Sequence, residues 1–343
     1  MKRHGNLFPQ IVDRNNIELA YDKARRGKTW QRTVKRIDER RDEALTRLQD
    51  DLMSERFTTS PYKIKKVYEP KERDIYVLPF YPDRIVQHAL MNVIEPIWTP
   101  LLIHDTYACI PGRGLHAGSR RTMEFVRRYK YFLKCDISKF YPSIVHDIMY
   151  SIVERKIKCK PTLRLIIDII YSILGGRNVP IGNYTSQWKG NLYLGVLDTF
   201  VKQHLKVKGY VRYCDDFCLF SNSKRELREW KSAIREFLWS ELGLKYSKAE
   251  VAPVSHGVDF LGYRHFSEKI LLRKSTAKRV RRRLSRLPGM YRSGRISLEQ
   301  YRSSVASTWG WLKWANTYNF RIAVQLQELQ EDIDELRIHE AVQ

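Results

Sequence analysis

The run Val211-Arg212-Tyr213-Cys214-Asp215-Asp216-Phe217-Cys218-Leu219-Phe220 sets two adjacent carboxylates inside an apolar, aromatic-rich stretch. Charge is costly there unless something pairs with it. The flanks, Lys208-Gly209 and Ser221-Asn222-Ser223, are turn-prone, so the run predicts two short strands and a hairpin with Asp215 and Asp216 at its tip. Aspartate is also an ordinary hairpin residue, and the pair alone does not separate a turn from a site. Upstream, Tyr131-Phe132-Leu133-Lys134-Cys135-Asp136-Ile137 predicts another strand, which delivers Asp136 at its C-terminal end shortly before Pro142. One strand ending in an aspartate beside a hairpin carrying two makes a three-carboxylate site for divalent cations. Mg²⁺ takes oxygen ligands, usually one or two carboxylates plus substrate phosphates, and a pair of such ions suits in-line phosphoryl transfer. These residues point to nucleotidyl chemistry.

Composition leads the same way. Lys and Arg number 62 against 38 Asp and Glu, a formal net charge of +24, which implies a polyanionic partner. A hydrophobic content of 43%, with 20 Tyr, 13 Phe and 8 Trp, separates the chain from disordered basic tails because it can bury a core. At 343 residues it is long enough for two domains or one multi-lobed enzyme. No apolar run approaches the roughly 18 residues that cross a bilayer, and Met1-Lys2-Arg3-His4-Gly5-Asn6 lacks the apolar core of a signal peptide. The expectation is a cytoplasmic protein, in a bacterial or phage-infected cell, with no membrane partner. Five cysteines without a Cys-x-x-Cys pair do not suggest zinc. Cys135, Cys214 and Cys218 fall in apolar strand candidates and are expected to be reduced packing residues.

Around these residues the chain predicts the elements that must position them. Residues 15 to 57 read as charged helices, with Leu45, Leu48 and Leu52 at helical spacing. Tyr62 to Pro70 and Ile75 to Leu78 read as a strand pair whose turn carries Lys71 and Arg73, placed to reach phosphates or simply exposed. A helix is expected from Asp83, buried through Ile85, Val86, Ala89, Leu90, Val93 and Ile94 and stopped by Pro96. The loop Tyr107 to Ala117 is rich in Gly and Pro but lacks the Gly-Lys-Ser/Thr of a Walker A loop. A second glycine loop, Gly175 to Gln187, leads into a long helix through Val201, with Thr185 or Ser186 as its cap. Near the end, Arg273, Lys274, Lys278, Arg279, Arg281, Arg282, Arg283 and Arg286 crowd one helical stretch that suits a nucleic-acid backbone. Trp309, Trp311, Trp314, Tyr318 and Phe320 then read as helical core.

The order of these parts resembles the reverse transcriptases, from about Tyr62 to at least Tyr263. Asp136-Ile137-Ser138-Lys139-Phe140-Tyr141 is similar to the family's first metal-binding motif, Tyr213-Cys214-Asp215-Asp216 to its Tyr-x-Asp-Asp box, and Phe260-Leu261-Gly262-Tyr263 to its primer grip. Glu69-Pro70-Lys71-Glu72-Arg73 and Pro79 to Gln87 are similar to fingers motifs of bacterial members. Where retroviral enzymes carry Gln-Gly-x-x-x-Ser-Pro, this chain has Ile181-Gly182-Asn183-Tyr184-Thr185-Ser186-Gln187, the form associated with diversity-generating retroelement reverse transcriptases. Cys214, where those enzymes more often have Met, is a departure.

The resemblance implies an α+β right-hand polymerase. Its parts are a helical N-terminal extension (1–60), interleaved fingers and palm (61–272) and a helical thumb (273–343). It implies two Mg²⁺ ions, with Mn²⁺ as a substitute, held by Asp136, Asp215, Asp216 and the Ile137 carbonyl. Lys71, Arg73, Tyr141, Ile181, Gly182 and Gln187 are implied nucleotide contacts, with Tyr141 gating against a ribose 2′-hydroxyl. Gly262, Tyr263, Lys274, Lys278, Arg279, Arg282 and Arg283 are implied contacts to nucleic acid. The implied reaction copies a template-repeat RNA into cDNA from a DNA or cDNA primer and dNTPs, with errors at adenines that diversify a target gene. A small basic oligomeric accessory protein is the implied partner, with the N-terminal 60 residues and the basic helices as docking surfaces. Ile181, with no amide to offer, would contribute to the low fidelity together with Arg73. The alternatives are another bacterial reverse transcriptase (group II intron-like, retron or phage-defence) or a non-catalytic nucleic-acid-binding relative. A primer-independent RNA polymerase is disfavoured by Tyr213 and Tyr141, and no endonuclease or maturase domain is evident.

Overall fold

The computed structural model describes residues 3–68 and 72–342. Lys71, expected to bind a triphosphate, lies outside the described residues together with Glu69 and Pro70. Helices α1 (Phe8–Ile11), α2 (Arg14–Arg25), α3 (Arg32–Asp38) and α4 (Arg41–Met53) precede an antiparallel hairpin of β1 (Lys63–Val67) and β2 (Arg73–Val77), in which Lys65 faces Ile75. Helix α5 (Ile85–Trp98) and α6 (Leu115–Arg128) follow, then β3 (Tyr131–Ile137) and helices α7 (Phe140–Ser143), α8 (His146–Glu154), α9 (Lys160–Tyr171) and α10 (Tyr184–Thr199). The hairpin β4 (Gly209–Tyr213) and β5 (Asp216–Ser221) leads to α11 (Lys224–Leu242) and β6 (Tyr246–Pro253). Three short strands, β7 (Val258–Phe260), β8 (Tyr263–His265) and β9 (Ile270–Leu272), precede α12 (Lys274–Leu284), α13 (Leu287–Arg292), α14 (Leu298–Leu312), α15 (Tyr318–Ala323) and α16 (Leu326–Val342). Among the described residues no helix is long and apolar enough to cross a membrane.

Two compact units emerge. The first comprises residues 1–113, 134–217 and 229–249. It carries α1 to α5, α7 to α10, β4, the ends of β3 and β5 that bear expected catalytic residues, and the start of β6, strands of a sheet of order β4-β5-β3-β6. In the second unit, residues 114–133, 218–228 and 250–343, a cluster of Leu284, Leu287, Tyr301, Val305, Leu312, Leu326 and Ile333 is buried among α12 to α16.

The first unit buries one ion pair completely. Arg212 on β4 and Asp198 on α10 both have no exposed side chain, with Nη2 to Oδ2 at 2.6 Å. Strand alternation puts Tyr210 beside Arg212, and the Tyr210 hydroxyl donates to Asp198 Oδ1 at 2.7 Å while Thr106 Oγ1 donates to Oδ2 at 3.0 Å. Asn191, two helical turns before Asp198, accepts from Arg212 Nη1 at 3.3 Å, and the same nitrogen donates to the Cys214 carbonyl at 3.0 Å. The guanidinium thus reaches from the core to the turn that carries Asp215.

Three expectations need correction. Pro96 does not stop its helix; α5 runs on to Trp98, 1% exposed, because proline removes only its own N–H and the buried indole anchors the last turn. Neither Thr185 nor Ser186 caps α10, whose flanking residue is Asn183; the Ser186 hydroxyl instead donates to the Pro180 carbonyl at 2.7 Å and closes the glycine loop. Of the C-terminal aromatics, Trp309 and Phe320 pack on the helical core, but Tyr318 is 69% exposed and Trp311 stacks on Tyr263 at 5.0 Å.

Replacing Asp198 with Asn leaves a buried guanidinium uncompensated. Denaturant unfolding should show a loss of about 3–5 kcal/mol, with the midpoint lowered. An unchanged midpoint would mean that the pair is not the anchor of the hairpin.

Candidate active site

Asp136 is the penultimate residue of β3, and Ser247 on β6 donates from its hydroxyl to Asp136 Oδ2 and, at 3.2 Å, to the Asp136 carbonyl. Asp215 lies in the two-residue turn between β4 and β5, and Asp216 is the first residue of β5. Cys214, first in that turn, takes φ 54°, the left-handed conformation that a tight hairpin of this twist demands at that position. The hairpin tip therefore forms as the sequence predicts.

The three carboxylates feel one another. Burial, then the charge of Asp136, raises the Asp215 carboxyl, while Arg73 and Arg212 pull it back. Asp216 is pushed up to about 7 by burial, with Asp136 and Asp215 adding to the effect and Lys134 opposing it. Lys134 Nζ sits 3.4 Å from Asp216 Oδ2, while Asp216 Oδ1 is buried without any hydrogen-bond partner. An orphaned buried carboxylate oxygen facing two further carboxylates is a seat for a cation.

The three do not close into a cage. Among the described residues no three His, Cys, Asp or Glu side chains are drawn together closely enough to hold an ion by themselves. Asp136 is turned to Ser247 and Asp216 to Lys134, so a cation held here would complete its shell from elsewhere, as Mg²⁺ sites commonly do with substrate phosphates. Ile137 has a side chain only 2% exposed and could contribute nothing but its backbone.

The other expected contacts are distributed as follows. Arg73 is exposed at the start of β2 and its charge reaches Asp215. Tyr76 on the same strand donates its N–H to the Ile181 carbonyl at 2.8 Å. Gly182, φ 113°, allows this approach, since a Cβ there would lie 3.0 Å from the Tyr76 carbonyl oxygen. Ile181 is half-buried and Gln187 exposed. The Tyr141 hydroxyl is held protonated, chiefly by burial and then by the neighbouring thiols of Cys214 and Cys109. The interaction of these two thiols, more than burial, raises Cys214 and lowers Cys109.

Two features escaped the sequence. Gly190 on α10 makes room for the Tyr141 ring, because a Cβ would meet Tyr141 Cε1 at 3.2 Å and its hydroxyl at 3.4 Å. A 650 Å³ cavity near the N-terminal helices is lined by Lys28, Arg36, Arg40, Arg47, Lys63 and Arg84 against the single acid Glu43. None of these six cations is ion-paired among the described residues, and burial alone lowers Arg84. His88 is driven down to about 4 by burial and by Lys28, Lys23 and Arg84. Helical spacing conceals both, since cavity and clearance arise only on packing.

In the second unit, Lys274, Lys278, Arg279, Arg282 and Arg283 are exposed on α12, whereas Arg273 is neutralised by Asp259. Tyr263 is corrected: it is 0% exposed and its hydroxyl donates to the Trp311 carbonyl at 3.0 Å, so it positions the turn and offers no surface to nucleic acid. Gly262, φ 82°, lets that turn approach Trp311.

The sequence model of the family described as reverse transcriptase (RNA-dependent DNA polymerase) matches residues 64–265. The chain belongs to this family. This reverse transcriptase is similar to protein YkfC of Escherichia coli K12, 24% identical over 291 residues that cover 70% of this chain and 74% of YkfC. It is also similar to the group II intron-encoded protein LtrA of Lactococcus lactis, 24% identical over 165 residues, 44% of this chain and 27% of LtrA. A telomerase structure from Candida albicans, in complex with a TWJ fragment of telomeric RNA, matches with a TM-score of 0.50 at 11% identity, over 82% of this chain and 64% of that one. The reverse transcriptase has the mixed helix-and-sheet fold of the right-hand polymerases, with antiparallel hairpins bearing its motifs.

Reverse transcriptases use divalent metal ions, which when bound neutralise charge on the reacting phosphates. Asp136, Asp215 and Asp216 would hold them here. The sign of the Asp216 shift yields a test. An unfolded aspartate ionises near 3.8 and the folded one near 7, so stability falls as pH rises through that window and stays reduced above it. Asp216→Asn cannot ionise; in chelator it should unfold later than the wild type above about pH 7, by roughly 4 kcal/mol, while losing primer extension. Equal stabilities at pH 8 would refute the cost assigned to burying this carboxylate in its charged form.

Proposed function

We propose that this reverse transcriptase copies a template RNA into cDNA from a DNA or cDNA primer and dNTPs, and does so error-prone at template adenines, as in a diversity-generating retroelement. The observation that carries the reading is the Ile181 loop. Its carbonyl is tied to Tyr76 on β2, the strand whose first residue, Arg73, senses Asp215. An isoleucine held at that place offers shape without a hydrogen bond. Discrimination among nucleotides relies heavily on the cost of leaving polar groups unpaired, so an apolar residue relaxes it.

In this reading two Mg²⁺ ions, or Mn²⁺ in their place, are held by Asp136 and Asp215, with Asp216 in support. Arg73 and Lys71 draw the triphosphate toward the hairpin; Arg suits this through its fixed donor fork. Tyr141, buttressed against Gly190, stands where a ribose 2′-hydroxyl would collide. The unpaired cations of the N-terminal cavity take phosphates of the template, and those of α12 follow the duplex. A small basic accessory oligomer would share the same RNA.

The match to LtrA favours a second reading, a group II intron-like reverse transcriptase without adenine bias. Sequencing cDNA made from one RNA template separates the two. Adenine-focused errors that Ile181→Gln suppresses several-fold support the first reading; a flat error spectrum in the wild type supports the second. If RNA-templated extension with dNTPs is absent, both fall.

The cavity has its own measurement. Arg40→Glu combined with Arg47→Glu should weaken RNA binding at low salt and flatten the slope of log K against log salt by about 1 to 2, since each lost phosphate contact removes close to one unit. An unchanged slope would place the template elsewhere.

A further inference from the structure

Five cysteines are present and all are free thiols, yet two of them are not scattered packing residues. The segment before Cys109 runs parallel to β4: Thr106 bridges Arg212, the Arg212 N–H donates to the Asp105 carbonyl at 2.9 Å, and the Tyr107 N–H donates to the Arg212 carbonyl at 3.0 Å. Just beyond this bridge on the two segments, Cys109 and Cys214 each turn into the left-handed region, φ 56° and 54°, and their thiols are neighbours that act on each other's ionisation. The backbone on both sides is pinned by one pair of residues. Asn191 Nδ2 donates to the Ala108 carbonyl at 2.8 Å, and Arg212 Nη1, which also donates to Asn191, holds the Cys214 carbonyl at 3.0 Å. Two thiols are thus kept in contact by buried groups that cannot easily move apart. Cys109 is exposed and Cys214 half-buried, so a small oxidant reaches the pair from the Cys109 side.

We propose that Cys109 and Cys214 are a reversible oxidation site that arrests the polymerase by locking the catalytic turn. With hydrogen peroxide as oxidant, both S–H bonds break, one S–S bond forms, and two electrons pass to the peroxide. Its O–O bond breaks, and its oxygens leave as two waters, taking both thiol protons. An excess of a small thiol reverses the change by exchange. The bond draws the sulfurs to about 2.0 Å, well inside any non-bonded sulfur–sulfur contact. Cys214 is bonded through the backbone to Asp215, and its thiol faces the Tyr141 hydroxyl. A displacement on the order of 1 Å at a reacting group costs about 10²-fold in rate.

The activity arm of the test rests on the polymerase reading above, and the chemical arm does not. Full-length protein, reduced and then treated with hydrogen peroxide, should lose two of its five free thiols and yield a Cys109–Cys214 linked peptide on digestion. Primer extension should fall by roughly 10²-fold and return with dithiothreitol. Cys109→Ser should extend primers like the reduced wild type and resist peroxide; Cys109→Ala is the second variant if the serine disturbs folding. Absence of the linked peptide overturns the proposal, as does a peroxide loss of the same size in both Cys109 variants. If the reduced protein fails to extend primers, the polymerase reading falls while the linked peptide still decides the oxidation site.

Discussion

The catalytic hairpin depends on the buried pair of Arg212 and Asp198. An arginine with no exposed side chain is costly to desolvate, and a carboxylate alone does not repay that cost. Here each remaining polar atom has a partner. Asp198 accepts from Tyr210 and Thr106, and the guanidinium spends its other donors on Asn191 and the Cys214 carbonyl. The arrangement is fully satisfied, the condition under which a buried network specifies one geometry. What it specifies is the path of residues 212 to 214, and with it the place of Asp215.

From that fixed turn the electrostatics of the site follow. Three carboxylates are held in mutual range, Lys134 pairs with Asp216 Oδ2, and Asp216 Oδ1 has no hydrogen-bond partner. Burial, more than either neighbouring carboxylate, raises the Asp216 carboxyl toward neutrality. A rigid support under a strained charge cluster is the usual division between scaffold and site. The backbone of the turn is tied from beneath by Arg212, and the β3 end is tied from the side by Ser247.

Much of this was legible in the sequence because it is local. The paired strands, the aspartates at their ends and the glycine at position 182 are written as alternation, turn residues and a position that needs φ 113°. The network beneath was not, because Asp198 and Arg212 look like an ordinary helix charge and an ordinary strand charge until the helix is laid under the hairpin. Tyr263 misled for the converse reason: an aromatic in a familiar turn reads as a contact, but it is consumed by Trp311, a partner 48 residues away. Pro96 misled because a rule about local hydrogen bonding was overruled by the burial of Trp98. In each case the missing information was a long-range contact.

The same distinction bears on selectivity. The fingers hairpin of β1 and β2 has little core of its own, with every β1 residue exposed, so its position is set by what it is tied to. One tie is the Tyr76 N–H to the Ile181 carbonyl, which Gly182 permits by lacking a Cβ; another is the Asn178 amide to the Tyr76 hydroxyl at 3.0 Å. Arg73, at the other end of the same strand, is therefore located relative to Asp215 by the glycine loop. A residue at position 181 presents two things to its surroundings, its side chain and the carbonyl that holds β2. Ile181 changes the first and preserves the second, since any residue supplies the carbonyl. The hold on β2 is thus independent of which side chain stands at position 181.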